Sequence, residues 1–210
     1  VFFGMTVMGD AMAPLQTYQP FLDLMVRMEN PAIGILVAAA FTALIQSSSA
    51  TTAIVIVLAG QGFISFPAGI ALPLGANIGT CVTALLASIG KPREAIRAAV
   101  THVLFNVAGV VIWVGLIDQL ASLVTAISPA YDVLTGTARL AAEAPRQIAN
   151  AHTIFNIANT LLFIGLAAQT ARLVEWLIPD KPFEAEIRAV TAKYLEPELI
   201  STPVLALDRV

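Results

Sequence analysis

From Asn30 to Gly90 the chain carries no Asp, Glu, Lys, Arg or His, and Ile, Leu, Val, Ala and Phe dominate the run. An apolar stretch of this kind reads as membrane-embedded. At its centre lies Gln46-Ser47-Ser48-Ser49-Ala50-Thr51-Thr52, whose six polar side chains must face something other than lipid. At ~1.5 Å per residue the arm 31–45 reaches ~22 Å and the arm 50–60 ~16 Å, so neither alone crosses a ~30 Å hydrocarbon core. Joined as one helix, the two arms would show polar groups on every side, because successive residues turn by about 100°. A re-entrant hairpin over residues 31–60 removes the conflict, since irregular backbone is tolerated at membrane depth where it lines a cavity. The alternative is a straight helix whose hydroxyls bond neighbouring helices.

The following apolar segment, residues 66–89, has the length of a span but is punctuated by Pro73 and by Gly75-Ala76-Asn77-Ile78-Gly79-Thr80. That punctuation predicts a discontinuous helix, whose freed carbonyls hold a cation and whose second-half N-terminus holds an anion. Loose packing by glycine is the plainer reading. Spanning helices are expected at residues 95–117 and 147–172. Between them, residues 118–146 hold Ser128-Pro129, Gly136 and Pro145 and read as a loop with a little helix. Residues 1–29 read as a truncated transmembrane helix followed by a polar connector and a short amphipathic piece. The expected organisation is therefore that entry segment, a membrane repeat at 30–178 and a water-facing tail at 179–210. Lys91, Arg93 and Arg97, with the basic residues of the tail, place the first loop and the tail on the cytoplasmic side of a multi-pass protein.

Composition agrees with this picture. Hydrophobic residues make up 58% and charged residues 12%, against about a quarter charged in soluble domains. No basic stripe supports a nucleic-acid role. The single Cys81 excludes an internal disulfide and reads as a small buried thiol. An internal echo, His102-x-x-Phe105-Asn106-x-Ala108 against His152-x-x-Phe155-Asn156-x-Ala158, sets His and Asn on one face of each helix. The histidines suit structural hydrogen bonds or a proton relay. Asn106 and Asn156 are candidates for the solute path.

The order of these motifs, Gln46-Ser47-Ser48-Ser49-Ala50-Thr51-Thr52, then Gly75-Ala76-Asn77-Ile78-Gly79-Thr80, then His102-x-x-Phe105-Asn106, resembles the type II sodium/phosphate cotransporters, in particular their bacterial members. The resemblance covers nearly the whole chain. It implies an all-α membrane protein of the cell inner membrane or plasma membrane, built from two inverted repeats whose hairpin tips enclose sodium and phosphate. One such hairpin is present here, so the chain resembles the second repeat and the implied partner is the missing first repeat. Tyr194-Leu195-Glu196 and Thr202 to Leu207 resemble the lead into a PhoU-like cytoplasmic domain.

The residues fit this chemistry in their own right. Hard cations take oxygen ligands, which serine and threonine hydroxyls, amide carbonyls and unwound main chain supply. Phosphate accepts hydrogen bonds from hydroxyls, amide NH2 groups and N–H groups at a helix start. The expected site for sodium and phosphate is Gln46, Ser47, Ser48, Ser49, Thr51, Thr52, Asn77, Thr80 and Thr83, with sodium held through Gln46, Ser47, Ser48, Ser49 and Asn77. No lysine or arginine lies in this core to neutralise an anion, so sodium is the natural counter-charge and no further cofactor is expected. Another oxyanion, such as arsenate or sulfate, would suit the same hydroxyls. An intramembrane serine hydrolase is the rival from another class, but no Gly-x-Ser-Gly turn is present.

Overall fold

The computed structural model describes residues 2–180; the tail expected to lead toward a PhoU-like domain lies outside the described residues. The order of elements is α1 (Phe2–Met12), a 3-10 turn (Ala13–Thr17), α2 (Gln19–Met28), α3 (Pro31–Ile45), α4 (Ser48–Gly60), α5 (Phe66–Ser88), α6 (Arg93–Val114), α7 (Ile117–Ile127), α8 (Gly136–Gly165) and α9 (Ala167–Leu177). No strand occurs among the described residues. α5 and α6 are each long and apolar enough to cross a membrane, and the bent pairs α2–α3 (115°) and α8–α9 (75°) raise the candidate spans to four. The fold is that of an all-α membrane protein.

Asn30 starts α3 by accepting hydrogen bonds from the Ala32 and Ile33 amides at 3.0 and 3.4 Å, with Pro31 at the first helical position. The helix ends at Gln46, which sits in the left-handed region at φ 55° and ψ 30°. Ser47 is extended and caps α4 through its hydroxyl, which accepts from the Ala50 amide at 3.3 Å. Two residues thus separate the arms. Thr42 and Thr51, nine positions apart, have hydroxyls 2.7 Å from each other, whereas nine residues along one helix would span ~13.5 Å. The chain therefore folds back at the polar run.

α5 lies along this hairpin. It runs parallel to α3, with Leu72 beside Gly34 and Gly79 beside Ala39 and Thr42. It runs antiparallel to α4, where Gly69 meets Ala59. The shared starting level of α3 and α5 is clasped by Glu29, whose carboxylate accepts from the Ser65 amide at 2.7 Å and from the Ser65 hydroxyl. Ser65 is the N-cap of α5, so one carboxylate joins the entries of two parallel helices.

The expected break in this helix is not found. α5 is continuous from Phe66 to Ser88, with Pro73 inside it. Proline removes one intrahelical bond, and the helix continues through it because residues 68–77 are buried on all sides by neighbouring elements. The glycines serve close approach instead of interruption. Gly75 and Gly79 lie one turn apart on the face toward α3, and a Cβ on Gly79 would sit 2.6 Å from the Thr42 Cβ. On Gly75 it would overlap the Ile35 carbonyl. This is a small-xxx-small contact between two helix backbones.

Two further differences concern the second half. Residues 118–146 are mostly helical, as α7 and the start of α8. Pro145 is accommodated within α8, its ring lying against Gly60 of α4. The span expected at 147–172 ends instead at Gly165, where the chain bends into α9. α6 and α8 are antiparallel: Phe105 stacks edge-to-face on Phe163 at 5.2 Å, Trp113 on Phe155 at 5.8 Å, and Gly109 meets Asn159 between them. The Arg97 guanidinium donates two bonds to the Ile178 carbonyl at 3.0 and 2.9 Å, joining the start of α6 to the end of α9.

Candidate functional site

The hairpin tip joins opposite ends of two helix dipoles. At the end of α3 the Gln46 amide bonds the Thr42 carbonyl at 2.7 Å, while the carbonyls of Ala43, Leu44 and Ile45 have no backbone partner among the described residues. At the start of α4 the Ala50 and Thr51 amides are satisfied by Ser47, while the Ser48 and Ser49 amides have none there. Electronegative carbonyls and electropositive amides thus lie two residues apart, which suits a cation beside an anion. The αL conformation at Gln46 produces this juxtaposition. A side chain there is disfavoured relative to glycine, so Gln46 adopts this conformation against its local preference.

Of the expected residues, Gln46 and Ser49 are exposed at the tip, and Ser47 and Ser48 are half-buried. Thr51 and Thr52 are buried. Thr51 is locked by Thr42 and by the Ser47 carbonyl at 3.2 Å, whereas the Thr52 hydroxyl has no partner among the described residues. Asn77 is buried, its Nδ2 without a partner among the described residues. Thr42, which bonds Thr51 and meets Gly79, brings the start of α4 to the level of Gly79, two positions after Asn77. Thr80 returns its hydroxyl to the Ala76 carbonyl at 2.9 Å, and Thr83 is exposed beyond it.

Asn106 and Asn156 behave alike. Each donates its amide to the carbonyl of the histidine one turn earlier, at 3.0 and 2.8 Å. The Cys81 thiol lies 3.6 Å from both the Asn77 and the His102 carbonyls, and Asn106 donates to that same His102 carbonyl, so Cys81 links Asn77 to Asn106. The tip threonines, Asn77 and Asn106 therefore occupy one level of the bundle. No tip serine hydrogen-bonds a histidine among the described residues, so a nucleophile–base pair is not assembled in this conformation. No cluster of three His, Cys, Asp or Glu suited to a metal occurs among the described residues.

Sequence reasoning missed two residues. Thr42 is one hydroxyl in an apolar helix and becomes visible only through its partner across the turn. Asn159 is fully buried against Gly109, and neither of its amide atoms has a partner among the described residues. Its signal was present in the echo, where the positions after Ala108 and Ala158 hold Gly and Asn.

Residues 1–168 match the family model described as Na+/Pi-cotransporter. The chain belongs to this family. Among curated relatives, "Sodium-dependent phosphate transport protein 2C" of Rattus norvegicus is 44% identical over 85 residues, which is 39% of this chain and 14% of that protein. "Sodium-dependent phosphate transport protein 2A" of Oryctolagus cuniculus is 41% identical over 84 residues, 38% of this chain and 13% of the relative. "Sodium-dependent phosphate transport protein 2B" of Bos taurus is 40% identical over 85 residues, 39% and 12% respectively. The matched part of this family member thus spans about one seventh of the length of these relatives. No solved structure matches the chain.

Proposed function

We propose that this chain supplies one half of a sodium-coupled inorganic phosphate site, the other half coming from an inverted repeat with its own hairpin. The observation that carries this reading is the tip at Gln46 and Ser47, where the carbonyl end of α3 and the amide end of α4 meet beside unpaired hydroxyls. Sodium takes oxygens of Gln46, Ser47, Ser48, Ser49 and Asn77; phosphate takes amides and hydroxyls of the first turn of α4, with Thr52 and Thr80 at the same level. Thr51 acts by holding the turn. Thr83 lies at the edge, and Asn106 and Asn156 border the solute path.

Coupling follows from charge. No Lys or Arg occurs between Asn30 and Gly90, and an unpaired oxyanion in a poorly hydrated site is strongly disfavoured. Sodium bound alongside it offsets that cost, so each ion raises the occupancy of the other. The protein carries out transport and no covalent chemistry, in an inner or plasma membrane with its tail in the cytoplasm. Names of the relatives, each a sodium-dependent phosphate transport protein, support the choice of ions.

Uptake of radiolabelled phosphate into proteoliposomes carrying the full-length protein, with and without an inward sodium gradient, tests this. Sodium-driven uptake is expected, and Gln46→Ala and Ser48→Ala are expected to abolish it. Unchanged uptake in both variants would refute the placement. Competition by arsenate and sulfate in the same assay decides among tetrahedral oxyanions, which hydroxyls alone do not distinguish.

A further inference from the structure

Asn159 sits on α8 with no exposed surface, and neither its Oδ1 nor its Nδ2 has a hydrogen-bond partner among the described residues. Buried amides in native proteins are almost always paired, and an orphaned one lowers stability. Its position is well defined. Gly109 of α6 faces it so closely that a Cβ there would lie 2.6 Å from Oδ1 and 2.7 Å from Cγ. The missing side chain of the glycine is the space the amide occupies. Edge-to-face pairs Phe105–Phe163 and Trp113–Phe155 hold the seam on either side.

The seam is close to the candidate site. Asn106 is one turn from Gly109 on α6 and is linked through the His102 carbonyl and Cys81 to Asn77 on α5, whose Nδ2 is also buried without a partner among the described residues. Two amides with unmet hydrogen-bonding capacity thus flank α6 near the level of the hairpin tip. An apolar side chain at Asn159 would carry no such penalty, so an amide here is explained by a partner that the chain itself does not provide.

We propose that Asn159 is a ligand of the transported ion pair, its Oδ1 directed to the cation and its Nδ2 donating to the oxyanion; this rests on the transport reading above. A carboxamide serves both ions at once, since its oxygen coordinates and its NH2 donates, and it adds no net charge to a site that must release its cargo. Because the side chain is enclosed in this conformation, α6 and α8 separate at Gly109 when the ions reach it.

The test is sodium-driven phosphate uptake by the full-length protein in proteoliposomes, with sodium and phosphate varied separately and folding followed by thermal unfolding in detergent. Asn159→Leu keeps the branched skeleton, though bulkier, and removes both functions, so both KM values should rise about tenfold. Asn159→Asp keeps an oxygen and loses the donors, so the phosphate KM should rise about tenfold while the sodium KM is unchanged or lower. A folded Asn159→Leu with both KM values within about twofold of wild type would reveal a purely structural amide and overturn the proposal. If Asn159→Leu does not fold, Asn159→Asp decides alone, and an unchanged phosphate KM overturns it. A wild type without sodium-driven uptake would sink the transport reading itself, an outcome distinct from a transporting wild type with indifferent Asn159 variants.

Discussion

Thr42 and Thr51 join their hydroxyls at 2.7 Å across the hairpin turn, fully enclosed, at the point where α3 gives way to α4. The bond is the clearest local mark of the fold-back. It holds the tip from behind, while the Gln46 and Ser47 backbone shapes it from the front.

Replacing Thr42 by valine preserves shape and removes this bond. Thr42→Val and Thr51→Val should each lower stability by about 1–2 kcal/mol, and the double variant by less than the sum. Thermal or denaturant unfolding in detergent measures the cycle; full additivity would show that the two hydroxyls do not act together.

Gln46 is the described non-glycine residue with positive φ, at 55°. Gln46→Gly should relieve about 1 kcal/mol of backbone strain and raise the melting temperature. The same change should abolish sodium-driven phosphate uptake by removing the amide. A stabilised variant that still transports normally would relegate the Gln46 side chain to a bystander.

Gly79→Ala forces a methyl against Thr42 and the α3 backbone. It should destabilise by about 1–3 kcal/mol and depress uptake, because α3 and α5 must separate. Gly115 and Gly165, around which a Cβ would meet nothing within 4 Å, provide controls. Their alanine variants should lie within about 0.5 kcal/mol of wild type.

In the polar first turns of α8, ahead of the apolar part expected from residue 147, the Tyr131 amide donates to the Glu143 carboxylate at 2.8 Å and Arg139 pairs with it at 2.9 Å. Tyr131 foremost, then Arg139, holds this carboxyl below its ordinary range. A depressed folded-state value means that the contribution is fully present above the unfolded-state range and disappears as pH falls through the folded value. Melting temperature should accordingly decline on acidification below the usual glutamate range, and Glu143→Gln should remove this component of the decline. An identical acid profile in Glu143→Gln would contradict the assignment.

The turn at Gln46 and Ser47 was legible because a cluster of hydroxyls in an apolar run cannot belong to one lipid-facing helix. α5 was not legible in the same way. Gly75 and Gly79 within a Pro-containing stretch signal either a break or a close neighbour, and only the α3 backbone beside them decides for contact. Pro145 misled for a related reason. Proline is a local stop signal, yet helix α8 runs through it where the ring packs on Gly60.

The amino-acid order alone determined the all-α membrane class, the position of the polar turn and the types of atom available to bind ions, since these depend on local polarity, helix geometry and side-chain chemistry. Tertiary structure decided which of those atoms stay unpaired. Thr51 and Thr52 are adjacent and alike in sequence, but Thr42 claims one hydroxyl and leaves the other open. Asn159 is one more asparagine until Gly109 encloses it, because burial and pairing are properties of neighbours that lie far apart along the chain.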